Sequence, residues 1–293
     1  MRNLFTAFIL ITMLCSCDSF STTLVVEDVE YRDQMVVGSI ISNRDMNGTT
    51  EFYVGKNRPA LDSDDFSAYN LSGASLSIEK LSTDEFLVDF IERQQEGNTY
   101  NYASLLPDSF YEPGDYRFRV EHPDYTVSET LLEFPEPSLI ENFKFDYESG
   151  TDLDGSALSR VSFDVIDEAG VENYYSLSIE IDGRTVRPST LELAGSEGSD
   201  SRILLFSDVT FDGQRKRIDV GFDRFFWNPN TSEEITLSWS AVNEGYYLLS
   251  KTVRLQQSAE DNPFSSAVQI HSNVNEALGV IAFQNTRTDT LRP

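Results

Sequence analysis

The residues of this chain that are best suited to covalent or metal chemistry are two cysteines, Cys15 and Cys17, and two histidines, His122 and His271. The spacing of the cysteines argues against a disulfide, because the Cα atoms of a bridged pair lie about 5.5 Å apart with a nearly perpendicular S–S torsion. The chain also lacks the ligands for a structural zinc site, which needs four nitrogen or sulfur donors. We therefore predict neither a bridge nor a metal site.

The residues before Cys17 indicate an export signal. Arg2 is followed by the uncharged run LFTAFILITML, which is too short to span a bilayer and is typical of a signal-peptide core. The next residues, LCSC, resemble the lipobox of bacterial lipoproteins, which implies cleavage after Ser16 and a diacylglyceryl group on the Cys17 sulfur. We predict a signal peptide over 1–16 and a lipidated tether over 17–22, with membrane contact through this anchor. A plain secretory signal, with Cys17 left as a free thiol, is the alternative.

Catalytic patterns are scarce in this sequence. It has no Gly-x-Ser-x-Gly, and the surroundings of His122 and His271 indicate solvated or capping residues rather than catalytic bases. With 49 acidic residues some carboxylate pair will lie about 5–9 Å apart, the separation used in glycoside hydrolysis, so only geometry could support a carboxylate hydrolase. We predict no catalytic residue and no cofactor.

Two acidic stretches resemble fragments of calcium-binding loops. One is ALDSDDFS, with Asp62, Asp64 and Asp65, and the other is ESGTDLDGS, with Asp152 and Asp154. Neither completes the pattern D-x-[DN]-x-[DN]-G with its distal glutamate. Hydrated acidic turns are the alternative, and the sequence leaves calcium binding open.

One aromatic cluster has the composition of a recognition surface. The stretch FDRFFWNPN brings Phe222, Phe225, Phe226 and Trp227 together in the chain. Exposed aromatic rings stack on sugars or form the centre of protein interfaces. Phe225, Phe226 and Trp227 are therefore the predicted binding residues, and packing in a core or between domains is the alternative.

The charge of the chain excludes some partners. Its net charge is −27, and removal of residues 1–16, whose one charge is Arg2, makes it −28. Such a surface repels nucleic acid and anionic headgroups, so we predict no nucleic-acid binding and no polybasic membrane dock. Solubility outside the cell explains the charge, and a basic or cation-bearing partner is the alternative. A mature chain of this length without disulfides suggests two domains.

The elements that position these residues are predicted to be β-strands. Eight segments up to residue 134 carry β-branched and aromatic residues, many in period-two alternation, and turn signals such as NRDMNG, EPGD and HPD separate them. This spacing is typical of an immunoglobulin-like β-sandwich. Pro135 and Pro137 form a stiff connector, which predicts a first domain over 23–137 and a second over 138–293.

The second domain is predicted to be a β-sandwich with one packed helix. Six strand-like segments end with EITLSWSA, and the period then changes. Tyr246, Leu249 and Val253 fall at i, i+3 and i+7, and Asn243 is placed to cap a helix near 243–258. The segments AVQIHSN and ALGVIAF return to strand patterns. The predicted fold is therefore mainly β.

The C-terminal stretch EGYYLLSKTVRLQQSAEDNPFSSAVQIHSNVNEALGVIAF resembles the ending of a family of Bacteroidota outer-membrane lipoproteins classified as a domain of unknown function. The matching positions are Tyr246, Tyr247, Pro263, Phe264, Ser272, Asn273, Val274, Leu278, Gly279 and Val280. FSDVTFDG, with Asp208 and Gly213, and EPGDYRFRVEHPDY, followed by FPEPSLI, agree as well. The sequence departs from the family at Glu276 and Ala277, where the family has a glycine pair, and this puts a close backbone approach there in doubt.

The resemblance covers essentially the whole mature chain and implies a location and a partner. Members of the family are often encoded beside TonB-dependent receptors, which implies an accessory role at the outer membrane. We therefore expect a non-catalytic interaction subunit of an outer-membrane barrel protein, anchored at the outer membrane and displayed at the cell surface or facing the periplasm. A free-standing glycan- or peptide-binding lipoprotein is the alternative, and a carboxylate-dependent hydrolase is a third.

Overall fold

The structure is a computed structural model that describes residues 31–45, 49–59, 66–88, 90–93, 100–152, 154–191, 202–260, 266 and 268–293. Its strands and its helix are β1 (Met35–Ser42), β2 (Thr50–Lys56), β3 (Ser75–Lys80), β4 (Glu85–Val88), β5 (Ile91–Glu92), β6 (Tyr102–Ser104), β7 (Gly114–Glu121), β8 (Ser128–Phe134), β9 (Leu139–Thr151), β10 (Ala157–Ile166), β11 (Tyr174–Ile181), β12 (Arg184–Thr185), β13 (Pro188–Leu191), β14 (Leu204–Ser207), β15 (Arg215–Asp223), β16 (Ile235–Val242), α1 (Glu244–Glu260) and β17 (Ile281–Leu291). The chain is mainly β, as predicted.

The strands form three sheets. A nine-stranded sheet has the order β12-β11-β16-β17-β1-β2-β6-β5, with β14 also paired to β11. The two four-stranded sheets have the orders β4-β3-β7-β8 and β13-β15-β10-β9. Each four-stranded sheet faces one part of the long sheet across a hydrophobic core, which is the packing of a sandwich.

The first core lies between β1 and β2 of the long sheet and the sheet that contains β3, β7 and β8. Alternation places Tyr116, Phe118 and Val120 of β7 inside, while Arg117 and Arg119 face the solvent, as the sequence predicts. A ring from the far end of the chain completes this core, because Phe283 of β17 lies 5.7 Å from the ring of Phe118.

The second core lies between β11 and β16 of the long sheet and the sheet that contains β10 and β15. Trp239 of β16 is its largest fully buried side chain, stacked on Tyr175 at 4.9 Å and edge-on to Phe163 at 5.3 Å. Aromatic rings in these geometries contribute about 0.5–1.5 kcal/mol beyond the area that they bury. Among the described residues, the buried members of this core all come from residues 140–239.

Strand β17 belongs to both parts of the long sheet. Its first four residues pair in parallel with β1, and Gln284–Leu291 pair antiparallel with β16. Asn285, in the middle of β17, donates from Nδ2 to the carbonyl oxygen of Pro135 at 2.9 Å and so holds the connector between the two halves. Gln34–Pro293 form one compact unit. The division into domains near residue 138 stays a prediction, to which the structure adds that the last strand serves both cores.

Helix α1 occupies the predicted place and is slightly longer than predicted. The Oδ1 of Asn243 accepts the N–H of Tyr246 at 3.3 Å, which is the expected N-cap, and it also accepts the N–H of Phe283 at 3.1 Å. The cap therefore fastens the helix to β17. None of the helices among the described residues combines the length and the hydropathy that a bilayer span requires.

Two strand predictions in the second half are corrected. The described part of AVQIHSN has no strand, because its residues follow α1 and are held by contacts to that helix, such as the N–H of His271 to Oγ1 of Thr252 at 3.0 Å. The segment ALGVIAF enters a strand only at Ile281, and that strand continues to Leu291 through the polar run QNTRTDTL, which the sequence analysis missed. The segment TLVVEDV lies outside the described residues, as do the predicted signal peptide and tether.

Candidate functional site

The predicted aromatic site is divided by the fold into an exposed part and a buried part. Phe225 is 90% exposed and Phe226 is 45% exposed, whereas Trp227 is 6% exposed and Phe222 is fully buried. Phe225 and Phe226 therefore offer ring surface to a ligand, and Trp227 does not. Whether any of the three binds a ligand stays a prediction, and Cys17, the predicted lipidation site, lies outside the described residues.

The exposed rings stand on a short turn that begins where β15 ends. Asp223 caps a single 3-10 turn over Arg224–Phe226, and its carboxylate accepts the N–H of Phe225 at 2.8 Å. Trp227 closes the turn by donating its N–H to the carbonyl oxygen of Arg224 at 3.1 Å. This local hydrogen bonding sets the backbone direction that sends Phe225 outward.

Trp227 anchors the turn from below. Its ring lies 5.1 Å from that of Phe145 on β9, and it belongs to the second core. The Arg224 guanidinium lies over the ring of Tyr147 at 5.3 Å and pairs with Glu148 at 3.5 Å. Phe225 and Phe226 therefore stand on a turn that is already packed against the core, so a ligand would not have to order this turn in order to bind.

The loop after Trp227 is held by polar contacts. The N–H groups of Glu233 and Glu234 donate to Oδ1 of Asp182 at 2.9 and 3.1 Å. These backbone donors lower the pKa of the Asp182 carboxyl, the bond from Glu233 first. Asp182 and Gly183 form the tight turn between β11 and β12, and both have positive φ, +49° and +74°, as a two-residue hairpin loop of this type requires.

Phe225 stands between two concave surfaces. We use the name aromatic end for Phe225 and Phe226 together with these surfaces. The larger surface, of about 800 Å³, lies between the Asp182–Gly183 hairpin and the 224–232 loop, and Arg184 and Arg202 line it. The smaller surface, of about 390 Å³, lies on the other side, over Tyr147 and Trp227.

The arginines of this site were not predicted from the sequence. Arg184 and Arg202 lie 23 or more positions before Phe225 in the chain, and only the pairing of β11 with β16 brings the hairpin that carries Arg184 beside the 224–232 loop. The Asp-Gly dipeptide between two strand patterns was the one local signal for this hairpin. No local signal points to Arg202.

A second polar group lies at the other end of the second core. Asp167, Asp208 and Asp212 offer carboxylate oxygens that lie within 4.8 Å of one another, and within the described residues they are the group that could hold a metal ion. Asp167 and Asp208 are buried, and Asp212 is exposed. Burial, together with the negative charges of Asp167 and Asp212, raises the pKa of Asp208.

These carboxylates already accept hydrogen bonds from the loops that they join. Asp167 accepts the N–H of Gly213 at 2.8 Å and the hydroxyl of Tyr175. Asp208 accepts the N–H of Asn173, also at 2.8 Å, and Asp212 accepts the N–H of Gly170 at 2.7 Å. We call these three residues the acid cluster. Its contacts fasten the loop before β11 to the loop before β15, which is a structural role.

The two histidines and the acidic turns have identifiable contacts. His122 is largely buried at a turn, where its Nδ1 accepts the N–H of Asp124 at 3.2 Å. His271 lines a cleft of about 570 Å³ at the start of α1, together with several glutamates such as Glu244. Asp152 accepts the N–H groups of Asp154 and Ser156, at 3.0 and 2.7 Å, within its own turn. Asp62, Asp64 and Asp65 fall outside the described residues.

The described residues of the C-terminal motif do not line the aromatic end, and several of them hold the fold. Asn273 brackets the start of β17, because its side chain accepts the N–H of Ile281 and donates to the carbonyl oxygen of Ile281, both at 2.9 Å. Gly279 has φ +114°, and a β-carbon there would overlap the carbonyl oxygen of Val37. Glu276 adopts a positive φ of 56°, a conformation that favours glycine. The close backbone approach therefore occurs at Gly279. At Glu276, where the family has a glycine, this chain keeps a residue with a strained backbone conformation.

Comparison with known proteins yields a family and a distant structural likeness. The profile of DUF4249, a domain of unknown function, matches residues 22–290. No curated protein sequence matches the chain significantly. Among solved structures, a tyrosine-to-glycine mutant of Salmonella alpha-2-macroglobulin is similar at 12% identity and a TM-score of 0.24. That match covers 89% of this chain and 14% of the much longer alpha-2-macroglobulin chain.

Proposed function

The chain belongs to the DUF4249 family, a family of unknown function, and from this premise we propose that it is a non-catalytic binding lipoprotein of the bacterial outer membrane. In this role it captures a ligand at the aromatic end and works with an outer-membrane barrel protein such as a TonB-dependent receptor. One observation carries the proposal. A phenylalanine that is 90% exposed stands on a packed, hydrogen-bonded turn between two concave surfaces.

The exposure of Phe225 is informative because it has an energetic consequence. Covering a phenylalanine side chain contributes about 1.5–3 kcal/mol, and this free energy is left unused while the ring faces water. A flexible loop could bury such a ring at little cost, but the Asp223 cap and the Trp227 anchor keep this one outward. A ligand that covers Phe225 gains the burial without the cost of ordering the loop.

The aromatic end lies at the end of the long sheet opposite to the start of β1. The chain enters β1 at Met35, beside the Leu278 end of the long sheet, and β1 and β17 run in parallel. The 11 residues of β17 rise roughly 35 Å along the strand and end at Leu291, whose neighbour in β16 is Ile235. The hairpin of the aromatic end lies at this second end.

Lipid anchoring is proposed from the lipobox resemblance and the family. Each buried methylene contributes about 0.8 kcal/mol, so two or three acyl chains would hold the protein durably at a membrane. We place the protein in the Bacteroidota outer membrane because of the family resemblance. Display at the cell surface fits the capture of an external ligand, and a periplasmic orientation is the alternative.

The surroundings of the acid cluster favour a non-catalytic role. A carboxylate hydrolase needs two facing carboxyl groups that a substrate can reach, one of them with a raised pKa. Asp208 has the raised pKa, but it is 2% exposed, and its cluster is occupied by backbone donors. The aromatic end, in contrast, is open to solvent.

The test is purification of the full-length lipidated protein from outer membranes with an affinity tag. We expect an outer-membrane barrel protein to co-purify in near-stoichiometric amount, and mass spectrometry to find acyl chains on Cys17. The variant Cys17→Ala is the matched control, since it should lose the acyl chains and no longer fractionate with the outer membrane. Recovery of the lipidated protein without an enriched barrel protein would favour the free-standing glycan- or peptide-binding alternative. An unmodified amino terminus would contradict the proposal.

A further inference from the structure

The larger concave surface of the aromatic end has a charge that is unusual for this chain. The protein carries 49 acidic and 22 basic residues, yet the described residues that line the 800 Å³ surface include two arginines, Arg184 and Arg202, and one acid, Asp182. The carboxylate of Asp182 is directed to the N–H groups of Glu233 and Glu234. Hydrogen bonds from Glu233 and Glu234, together with the positive charge of Arg184, lower the pKa of the Asp182 carboxyl, so it is ionised at neutral pH. Two arginines against one aspartate leave the described lining with one net positive charge, which is complementary to an anion.

The acidic residues elsewhere in the chain should restrict an anionic ligand to this positively charged surface. The cleft at the start of α1 has the opposite character, because Glu133, Glu136, Glu168, Glu172 and Glu244 line it without any lysine or arginine among its described residues. An anionic ligand is repelled there and attracted to the aromatic end. Guanidinium groups are also the cations best suited to hold oxyanions, since their N–H fork matches the two oxygens of a carboxylate or a pair of oxygens on a tetrahedral group such as a sulfate.

The aromatic rings indicate what the anion is attached to. The ring of Phe225 protrudes into solvent with its face accessible to a ligand, and it does not line an enclosed apolar pocket. A protruding ring suits a ligand that lays a flat C–H face upon it, as a pyranose does, more than a peptide side chain that must be inserted. Asn228 and Thr231 add amide and hydroxyl groups beside the rings. The volume lies in the upper range for small-molecule sites, which fits several sugar units.

We propose that this surface binds an anionic oligosaccharide, with a pyranose ring stacked on Phe225 and its carboxylate or sulfate groups held by Arg184 and Arg202. The inference rests on the proposed binding function and names the ligand class for it. Trp227 anchors the turn that carries Phe225 and makes no contact with the sugar. The arginines recognise the charge, and the phenylalanines recognise the ring.

The experiment is calorimetric titration of the full-length lipidated protein in detergent with three tetrasaccharides: tetragalacturonate, its fully methyl-esterified form and a chondroitin sulfate tetramer. The ester keeps the rings and removes the charges. We expect at least one anionic tetramer to bind and the ester to bind at least tenfold more weakly than tetragalacturonate if the carboxylate is recognised. Tight binding of the sulfated tetramer alone also supports the proposal, and loss of that binding in the desulfated chondroitin tetramer would identify the anion as sulfate.

Substitutions separate the two kinds of contact. The double variant Arg184→Gln and Arg202→Gln should lose at least tenfold in affinity for the anionic tetramer and leave the weak binding of the ester unchanged. Phe225→Ala should weaken both ligands. Arg119→Gln and Phe86→Ala are matched controls, because they remove an exposed arginine and an exposed phenylalanine from the first half of the chain. Circular dichroism melting should show that all these variants are folded.

The proposal is overturned if no anionic tetramer binds, if the ester binds as tightly as the acid and the sulfated tetramer does not bind, or if an acidic peptide such as tetraglutamate binds more tightly than every saccharide. The control variants would overturn it as well if they weakened binding as much as the site variants do. These failures are distinguishable from failure of the proposed function. A barrel protein that still co-purifies would leave the function standing while the ligand class is rejected.

Discussion

The aromatic end and the C-terminal motif are the two stretches that stand out in the sequence, and the fold uses them in opposite ways. At the aromatic end, Phe225 faces the solvent from a turn that is anchored by Trp227. In the C-terminal motif, the side chain of Asn273 bonds the backbone of Ile281, and Gly279 lets the chain pass close to Val37. Both hold the start of β17 against β1. The contrast teaches that a motif by which a chain resembles its family need not lie at the proposed binding surface, since a shared strand imposes strict requirements of its own.

The largest expected effect tests the structural role of the C-terminal motif. Gly279→Ala should destabilise the protein by about 3 kcal/mol or more, or prevent folding, because the methyl group would overlap the carbonyl oxygen of Val37 and the φ is positive. Gly73→Ala is the matched control. Gly73 also has positive φ, +79°, but a β-carbon there would meet no described atom within 4 Å. Equal melting temperatures for the two variants in thermal unfolding would contradict the close approach.

The next prediction compares the buried anchor of the aromatic end, Trp227, with its exposed ring, Phe225. Trp227→Ala should lower the free energy of unfolding by about 3 kcal/mol, as large-to-small changes in a packed core do. Phe225→Ala should change it by less than about 0.5 kcal/mol, because the side chain is exposed. Denaturant unfolding of both variants measures the difference. If Phe225→Ala were as destabilising as Trp227→Ala, the ring would be packed and could not serve as a recognition surface.

The acid cluster adds a third region, in which polar residues are buried but hold loops. The raised pKa of Asp208 means that the native state holds this proton more tightly than the unfolded state does. Stability from this group is therefore present at low pH and decreases as pH rises above the ordinary value of 3.8 and through the native pKa.

Asp208→Asn removes this penalty and keeps an acceptor oxygen. We expect the variant to melt a few degrees higher than the wild type at pH 7, and the difference to shrink as the pH is lowered below about 4. Thermal melting across pH, in the presence of a chelator, measures this. A lower melting temperature at pH 7 would show that the charge of Asp208 stabilises the fold and would contradict the assigned role.

The smallest expected effect concerns the departure from the family pattern. Glu276→Gly should stabilise the protein by up to about 1 kcal/mol, because it relieves a positive φ in a residue that has a β-carbon. The gain is partly offset by the greater chain entropy of glycine in the unfolded state. Chemical denaturation compares the variant with wild type. A loss of stability would mean that Glu276 makes a compensating contact.

The strands could be predicted wherever alternation and turn residues agreed. TEFYVGK and SETLLEF coincide with β2 and β8 to the residue, and Asn243 indicated the start of α1. The part of β17 from Gln284 to Leu291 could not be predicted in this way, because its sequence QNTRTDTL is polar and lacks a clear apolar face. It becomes a strand by pairing with β16, and that pairing joins segments distant in the chain.

The candidate site was only half predictable for a related reason. Composition identified FDRFFWNPN as a place of interest, but four aromatic residues in six positions carry no information about which of them the core accepts. The end of β15, the Asp223 cap and the ring of Phe145 assign Trp227 to the inside and Phe225 to the outside. Arg184 and Arg202 joined the site only through the neighbouring hairpin and loop.

Periodicity, turn residues and one helix cap were thus enough to establish a mainly β protein with a helix near its C-terminal end, because these signals are local and act through the backbone of a few neighbouring residues. The sharing of β17 by both cores, the division of the aromatic cluster and the charge of the concave surface beside it were decided by tertiary contacts. These contacts join residues tens to hundreds of positions apart, so no window of the sequence contains both partners.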